Sequence, residues 1–291
     1  MPDRRAHRGP HPEDARLFAA EVHPVLRQAT GDLCWLFSRG YGHESSLKLV
    51  GDRYSLLARQ RIAVARCACS KEAAASRQSR QVGPESLPGR PLWIDGYNVL
   101  TTIEAALSNG VLLLACDGTY RDMASMHGSY RKVAETLPAL QLLGQTIAAL
   151  GDCPDFRVSK NGTVPLGSVG GEGDSPVFAE TKTGTVPCVW YLDRPVSNSG
   201  RLKGIMERLA VERGWNWRAA LVDDPDAVLT RKAESVEGAV ELPAQHTDVV
   251  VATADSAILD GCRAWFNLAR ETVERHIPAA NVIDLRISLE S

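Results

Sequence analysis

The sequence predicts a three-layer α/β domain with a mainly parallel sheet, preceded by a small all-α basic domain. Three observations lead there. After a Pro/Gly-rich stretch at residues 81–91, short apolar runs ending on aspartate alternate with helical patterns. Before it, from Pro12 to about Arg80, the pattern is helical. The charge divides at the same point: residues 1–90 hold 15 Lys/Arg against 9 Asp/Glu, a net of +6, and the remainder a net of −8. Such a split suits a basic module meeting a polyanion beside a carboxylate-rich domain, or a helical domain with a solvated arginine face.

Residues 1–13 read as a disordered leader, rich in Arg, Pro and His with no apolar run behind it. A basic helical domain follows over 14–80. Asp14–Val22 has helical spacing, and Thr30–Phe37 forms a second apolar stretch. The glycines of Arg39-Gly-Tyr-Gly make a turn, and His43–Val50 starts another helix. The long run Arg53–Arg80 carries Arg59, Arg66 and Arg77, with Arg59 and Arg66 on one face and Arg77 close to it, candidates for RNA phosphates. Residues 81–91 read as a linker.

In the domain at 92–291 the strand-then-acid junctions are Leu92-Trp-Ile into Asp95, Val111–Cys116 into Asp117, and Cys188–Leu192 into Asp193. Two more are Ala219–Val222 into Asp223-Asp224 and Val249–Ala254 into Asp255. Helices are expected at about Tyr130–Leu150, Ser199–Arg213 and Ser256–Arg275. In parallel sheets the ligand site lies beyond the carboxyl ends of the strands, where these aspartates would stand. A Gly/Ser/Thr-rich insertion at about 155–187, with a short hairpin at Thr163–Thr185, interrupts the domain.

Four motifs carry the chemistry. Asp95-Gly-Tyr-Asn98 puts an acid and an amide at the end of the first buried strand, with Gly96 expected to form a tight turn; the plain alternative is an Asx-turn that ends the strand. Thr253-Ala-Asp255 ends a β-branched strand, and Asp255 suits both the crevice and a helix N-cap. Asp193 precedes a polar loop in which Ser197, Ser199 and Arg201 are candidates for phosphate binding at a helix N-terminus, with simple capping as the alternative. Asp117-Gly-Thr-Tyr-Arg-Asp122 is either a further pair of acids, with Asp117 favoured over Asp122, or a hairpin turn with a local salt bridge. Asp223 and Asp224 are candidates of similar weight, and Asp260 is expected off the crevice. Carboxylates without His or Cys suit hard divalent cations such as Mg²⁺ or Mn²⁺.

Other chemistries lack their motifs. There is no P-loop, no G-x-S-x-G, no H-E-x-x-H and no G-x-G-x-x-G opening a helix. The seven cysteines are scattered with no C-x-x-C pair and read as reduced thiols. No apolar run approaches the roughly 20 residues that span a bilayer, so no membrane partner is expected and the cytoplasm is the expected location.

The Asp95-Gly-Tyr-Asn98 motif resembles the first-strand motif of PIN-like and NYN nucleases, and Thr253-x-Asp255 resembles their late acidic motif. That resemblance implies a PIN-like α/β fold and a Mg²⁺- or Mn²⁺-dependent ribonuclease. Asp95, Asp193, Asp255 and Asn98 would be catalytic, and Asp95, Asp193, Asp255 and Asp117 would hold metal. The helix-borne second acid of those nucleases has no clear counterpart here. Over residues 14–285, insertion aside, the chain is similar to a two-part prokaryotic family described as domains of unknown function 434 and 5616. The strings carrying that likeness are Asp32–Tyr41, Leu49–Tyr54, Arg59-Gln-Arg61, Ile94–Val99, Asp117-Gly118, Leu192–Gly200 and Ala252–Ser256. The expected partner is RNA, with a homo-oligomer as a further candidate. Two rival functions are a non-catalytic RNA-binding adaptor on a degenerate PIN-like scaffold and a nucleotide phosphohydrolase.

Overall fold

A computed structural model describes residues 7–124, 130–151, 186–230 and 249–287; the hairpin expected at Thr163–Thr185 lies outside them. The first helices are α1 (Asp14–Leu17), α2 (His23–Ser38), α3 (His43–Arg53), α4 (Ala58–Cys67) and α5 (Lys71–Arg80). The run expected over Arg53–Arg80 is thus two helices. It breaks at Ala68-Cys69-Ser70, where Ser70 Oγ caps α5 by accepting from Ala73 N at 3.1 Å.

Strand β1 (Leu92–Asp95) leads straight into α6 (Gly96–Leu107). No loop intervenes, because Asp95 itself is the N-cap residue of α6. Gly96 is needed for a reason other than a turn. A Cβ there would lie 2.7 Å from the Tyr191 carbonyl oxygen and 2.5 Å from a Leu192 methyl, so the glycine lets α6 start against the neighbouring strand. Next come β2 (Leu112–Leu114), β3 (Tyr120–Asp122), α7 (Thr136–Gly151), β4 (Cys188–Asp193), α8 (Ser199–Arg213) and β5 (Trp217–Val222). The chain continues through α9 (Pro225–Leu229), β6 (Val250–Ala252), α10 (Ser256–Gly261), α11 (Leu268–His276) and β7 (Val282–Asp284). The single helix expected over Ser256–Arg275 is two, separated by the buried Trp265.

The main sheet has the order β5-β4-β1-β6, with all pairs parallel. Alternate residues serve opposite faces, which makes three layers. Leu92, Ile94, Trp190 and Val250 join the core shared with α6, α7, α8 and α11, whereas Val189, Tyr191 and Val251 pack against α9, α10 and Trp265. A second sheet, β3-β2-β7, pairs β2 antiparallel with β3 and parallel with β7. Its Leu112 and Leu114 face the large core. Its Leu113 and Ile283 face the other way and share a core with Leu26, Leu33, Val50 and Val64 of the N-terminal helices. Those helices therefore roof the second sheet.

Two expectations about chain organisation change. The residues read as a linker are ordered: Leu87 is fully buried, and Val82 N donates to the Trp265 carbonyl at 2.9 Å. The later part of the presumed leader is docked. Arg8 Nε donates to Glu104 at 2.8 Å and Arg8 N to Glu135 at 3.3 Å, anchoring the segment against α6 and the start of α7. Among the described residues, no helix is long and apolar enough to cross a membrane.

Candidate functional site

Parallel pairing brings the carboxyl ends of β1, β4, β5 and β6 to one edge, and acids stand at all four. Asp95 ends β1 and Asp193 ends β4. Asp224 and Asp226 open α9 after β5, and Asp255 follows β6. The Thr-x-Asp motif has a definite task. Thr253 Oγ1 donates to Asp95 Oδ2 at 2.8 Å and accepts from Asp255 N at 2.9 Å, so one hydroxyl ties the first and last acids together. Asn98 Oδ1 accepts from Ala254 N at 2.8 Å, clamping the same turn to α6. Asp255 also caps α10, accepting from Ala257 N at 2.7 Å.

Burial, and after it the charge of neighbouring acids, raises three of the crest carboxyls. Asp95, hemmed in by packed atoms although a sliver of the residue reaches solvent, is pushed up to about 7 chiefly by burial, then by the negative charges of Asp255 and Asp226. Asp226 is exposed on α9, yet partial burial raises it as well, helped by Asp255, Asp224 and Asp193 in turn. Asp193 is raised by burial and then by Asp224. Asp226 thus feels acids from both ends of the crest. It was missed in the sequence, where only its neighbours Asp223 and Asp224 drew notice. The missed signal is Asp224-Pro-Asp226: Pro225 starts α9 with Asp224 as its cap, which sets Asp226 on the first turn. Asp223 is exposed and pairs with Arg194 at 3.4 Å.

Other expected residues have different surroundings. Asp117 is buried in an ion-pair cluster, its Oδ2 2.7 Å from both Arg77 and Arg121 and its Oδ1 2.6 Å from the Thr119 hydroxyl. These partners hold its carboxyl below the usual carboxylate range despite burial, so the hairpin with a salt bridge is the arrangement found. Asp122, the less favoured acid, instead lines an open cleft of about 290 Å³ with Asn98, Thr101, Thr102, Arg66, Arg121 and Asp255. Ser199 is buried, with Oγ 2.5 Å from the carbonyls of Asp193 and Val196 and 2.7 Å from Tyr97 Oη, so it braces the α8 turn. Ser197 and Arg201 are exposed beside it.

The arginines expected on one RNA-facing surface do not form one. Arg77 is 3% exposed, held by Asp117 and Asp260. Arg59 pairs with the buried Asp14, its Nη2 2.9 Å from Oδ2. Arg66 lines the cleft beside the crest, whereas Arg59 lines a separate one of about 240 Å³ with Arg8, His11 and Asp14. Helix α4 packs on the second sheet and leaves Arg59 and Arg66 half-buried, whereas α5 packs against α10 and α2, which turns Arg77 inward.

Models of two families match the chain: Domain of unknown function (DUF5616) over residues 84–153 and 178–271, and Protein of unknown function (DUF434) over 25–80. The first spans more than half of the chain. The chain belongs to the DUF5616 family. The DUF5616 span contains Asp95, Asp193, Asp226 and Asp255, and the DUF434 span supplies Arg66 and Arg77 from the roofing helices. One similar protein is Uncharacterized protein MJ0935 of Methanocaldococcus jannaschii, 27% identical over 118 residues, which are 40% of this chain and 57% of that protein. The chain therefore spans little more than half of this relative's length. No solved structure matches.

Oxygen atoms are what the crest offers, the kind of donor that hard divalent cations take. Among the described residues, no three or more His, Cys, Asp or Glu side chains converge as a ready-made metal cage.

Proposed function

We propose that this protein is a Mg²⁺- or Mn²⁺-dependent ribonuclease built on a PIN-like fold, hydrolysing RNA phosphodiesters at the aspartate crest. The observation that carries the reading is the gathering of Asp95, Asp193, Asp226 and Asp255 at the carboxyl edge of a parallel sheet, where the charges of Asp255 and Asp226 add to the burial that raises Asp95. Negative charge gathered around a raised carboxylate forms a locus a divalent cation would relieve. Asp95, Asp226 and Asp255 would draw together around it on binding, with Asp193 at the flank. A bound cation would supply charge stabilisation and a more acidic water. The chain's own residues do the rest: Thr253 fixes the Asp95 carboxylate, and Asn98 holds the turn that presents Asp255.

The test is cleavage of a short single-stranded RNA by the full chain in Mn²⁺ and in EDTA. Cleavage should require Mn²⁺ and fall at least about a hundredfold in Asp95→Asn and in Asp226→Asn. Equal rates for both variants and the native chain would remove the crest from the chemistry. A second reading, a non-catalytic RNA-binding adaptor, draws on the structural employment of Asn98 and Asp255, each already committed to a backbone N–H. It predicts RNA binding with no Mn²⁺-dependent cleavage by any form.

A further inference from the structure

The cleft beside the crest is lined from both parts of the chain. Arg66 comes from α4; Arg121 and Asp122 come from β3; Asn98, Thr101 and Thr102 come from α6; and Asp255 marks its border with the crest. Arg66 is held in an unusual way. Its Nη1 donates to the Asp122 carbonyl and its Nη2 to the Ala124 carbonyl at 3.0 Å, while the nearest Asp122 carboxylate oxygen is 3.9 Å from Nη1. Carbonyls orient a guanidinium without neutralising it, and a guanidinium has five donors, so part of the fork and its charge stay available. Arg121 stands behind it, its Nη1 donating to the Arg66 carbonyl at 2.7 Å and so bracing the end of α4. Asp122 is partly satisfied within the protein: Oδ1 accepts from Ala124 N at 2.6 Å, and Oδ2 lies 3.1 Å from each threonine hydroxyl.

We infer that this cleft binds a phosphate group of the nucleic-acid substrate, with Arg66 as the residue that holds it beside the crest. The inference deepens the proposed function and rests on that reading for the class of ligand. A volume of about 290 Å³ is at the small end of ligand pockets, roughly 300 Å³ and up, and suits one phosphate with part of its sugar. A fork-shaped, always-charged donor matches phosphate oxygens better than a point charge does. The N-terminal helices would then act through one residue placed in the C-terminal site, rather than through a separate basic surface.

Binding is measured without metal, so that its outcome is independent of cleavage. A fluorescent ten-nucleotide RNA is titrated with the full chain in EDTA at fixed salt, then competed with inorganic phosphate. The native chain should bind the RNA and lose it to phosphate. Arg66→Gln should weaken binding about tenfold and abolish phosphate competition. Arg66→Lys, which keeps charge but loses the fork, should fall between, and Arg213→Gln, at an exposed arginine in the last turn of α8, should bind as the native chain does. Native affinity and native phosphate competition in a folded Arg66→Gln would overturn the inference. Should that variant unfold, undiminished affinity in Arg66→Lys would do the same. RNA with and without a 5′-phosphate separates the sources: a preference for the phosphorylated strand assigns the cleft to a terminal phosphate, and indifference assigns it to the internal backbone. Loss of cleavage with retained Arg66-dependent binding would count against the nuclease reading alone.

Discussion

Asp95 has a proton affinity that folding changes, and the stability of the chain depends on pH accordingly. Its value rises from 3.8 to about 7 on folding, so the native state holds the extra proton between those limits. Stability contributed at low pH is therefore lost as pH rises through that window, and above about 7 the chain carries a buried charge at a cost. Asp95→Asn should melt higher than the native chain at pH 8 without metal, by on the order of 1–2 kcal/mol of stability after allowing for the residue's residual exposure. The advantage should vanish near pH 4. Added Mn²⁺ should reverse the order at pH 8, because only the native chain gains binding energy; thermal melts in EDTA and in Mn²⁺ check both. At this scale the sequence was partly readable. Asp95, Asp193 and Asp255 each end an apolar run, a linear cue, and all three reach the crest. The choice between Asp117 and Asp122 depended on which side of a hairpin faces Arg77, and no run of residues shows that. Asp226 was hidden because it belongs to a helix first turn, where an acid is ordinary.

Elements explain why the glycine and tyrosine after Asp95 matter. Helix α6 starts without a loop, so its first turn lies under β4, and Tyr97 Oη reaches Ser199 at 2.7 Å at the head of α8. The sequence led to a loop there because Gly-Tyr-Asn is poor helix material, and packing overrode propensity. The same helix carries Glu104, fully buried and raised by burial, with Arg8 Nε 2.8 Å from one oxygen and Tyr130 Oη 2.5 Å from the other. Arg8→Met should destabilise the chain by about 3 kcal/mol at pH 8, since it leaves a carboxylate buried without its partner. Adding Glu104→Gln to the same chain should recover most of the loss, which urea denaturation of the single and double variants would show. Retained stability in Arg8→Met would mean that the anchoring segment is dispensable. A polar, proline-bearing segment gave no hint of this docking, because the cue is a single acid far along the chain.

For the whole molecule, the division into a basic domain and an acidic one described composition correctly and packing incompletely. The charge split and the helical texture were visible; that the helices close over a second sheet was not, because β3 and β7 are three residues each and carry no periodic signal. A fragment beginning near residue 91 would uncover Leu113, Ile283 and Leu285, each 0–2% exposed in the full chain. Such a fragment should bind a hydrophobic dye, self-associate and melt well below the full chain. A monomeric fragment with native melting behaviour would show that the α/β part is stable without its roof.

That roof also sets the order of events during synthesis. Leu17 and Leu26 share a core with Ile283 and Leu285, so helices made early on the ribosome await a strand made more than 250 residues later. Closure of so long a loop is slow, and although the helices pack on one another and on β2 sooner, their core stays incomplete meanwhile. The nascent chain is therefore most exposed to aggregation just before β7 emerges, and a folding helper that shields α2 and α4 until then would raise the yield of native protein.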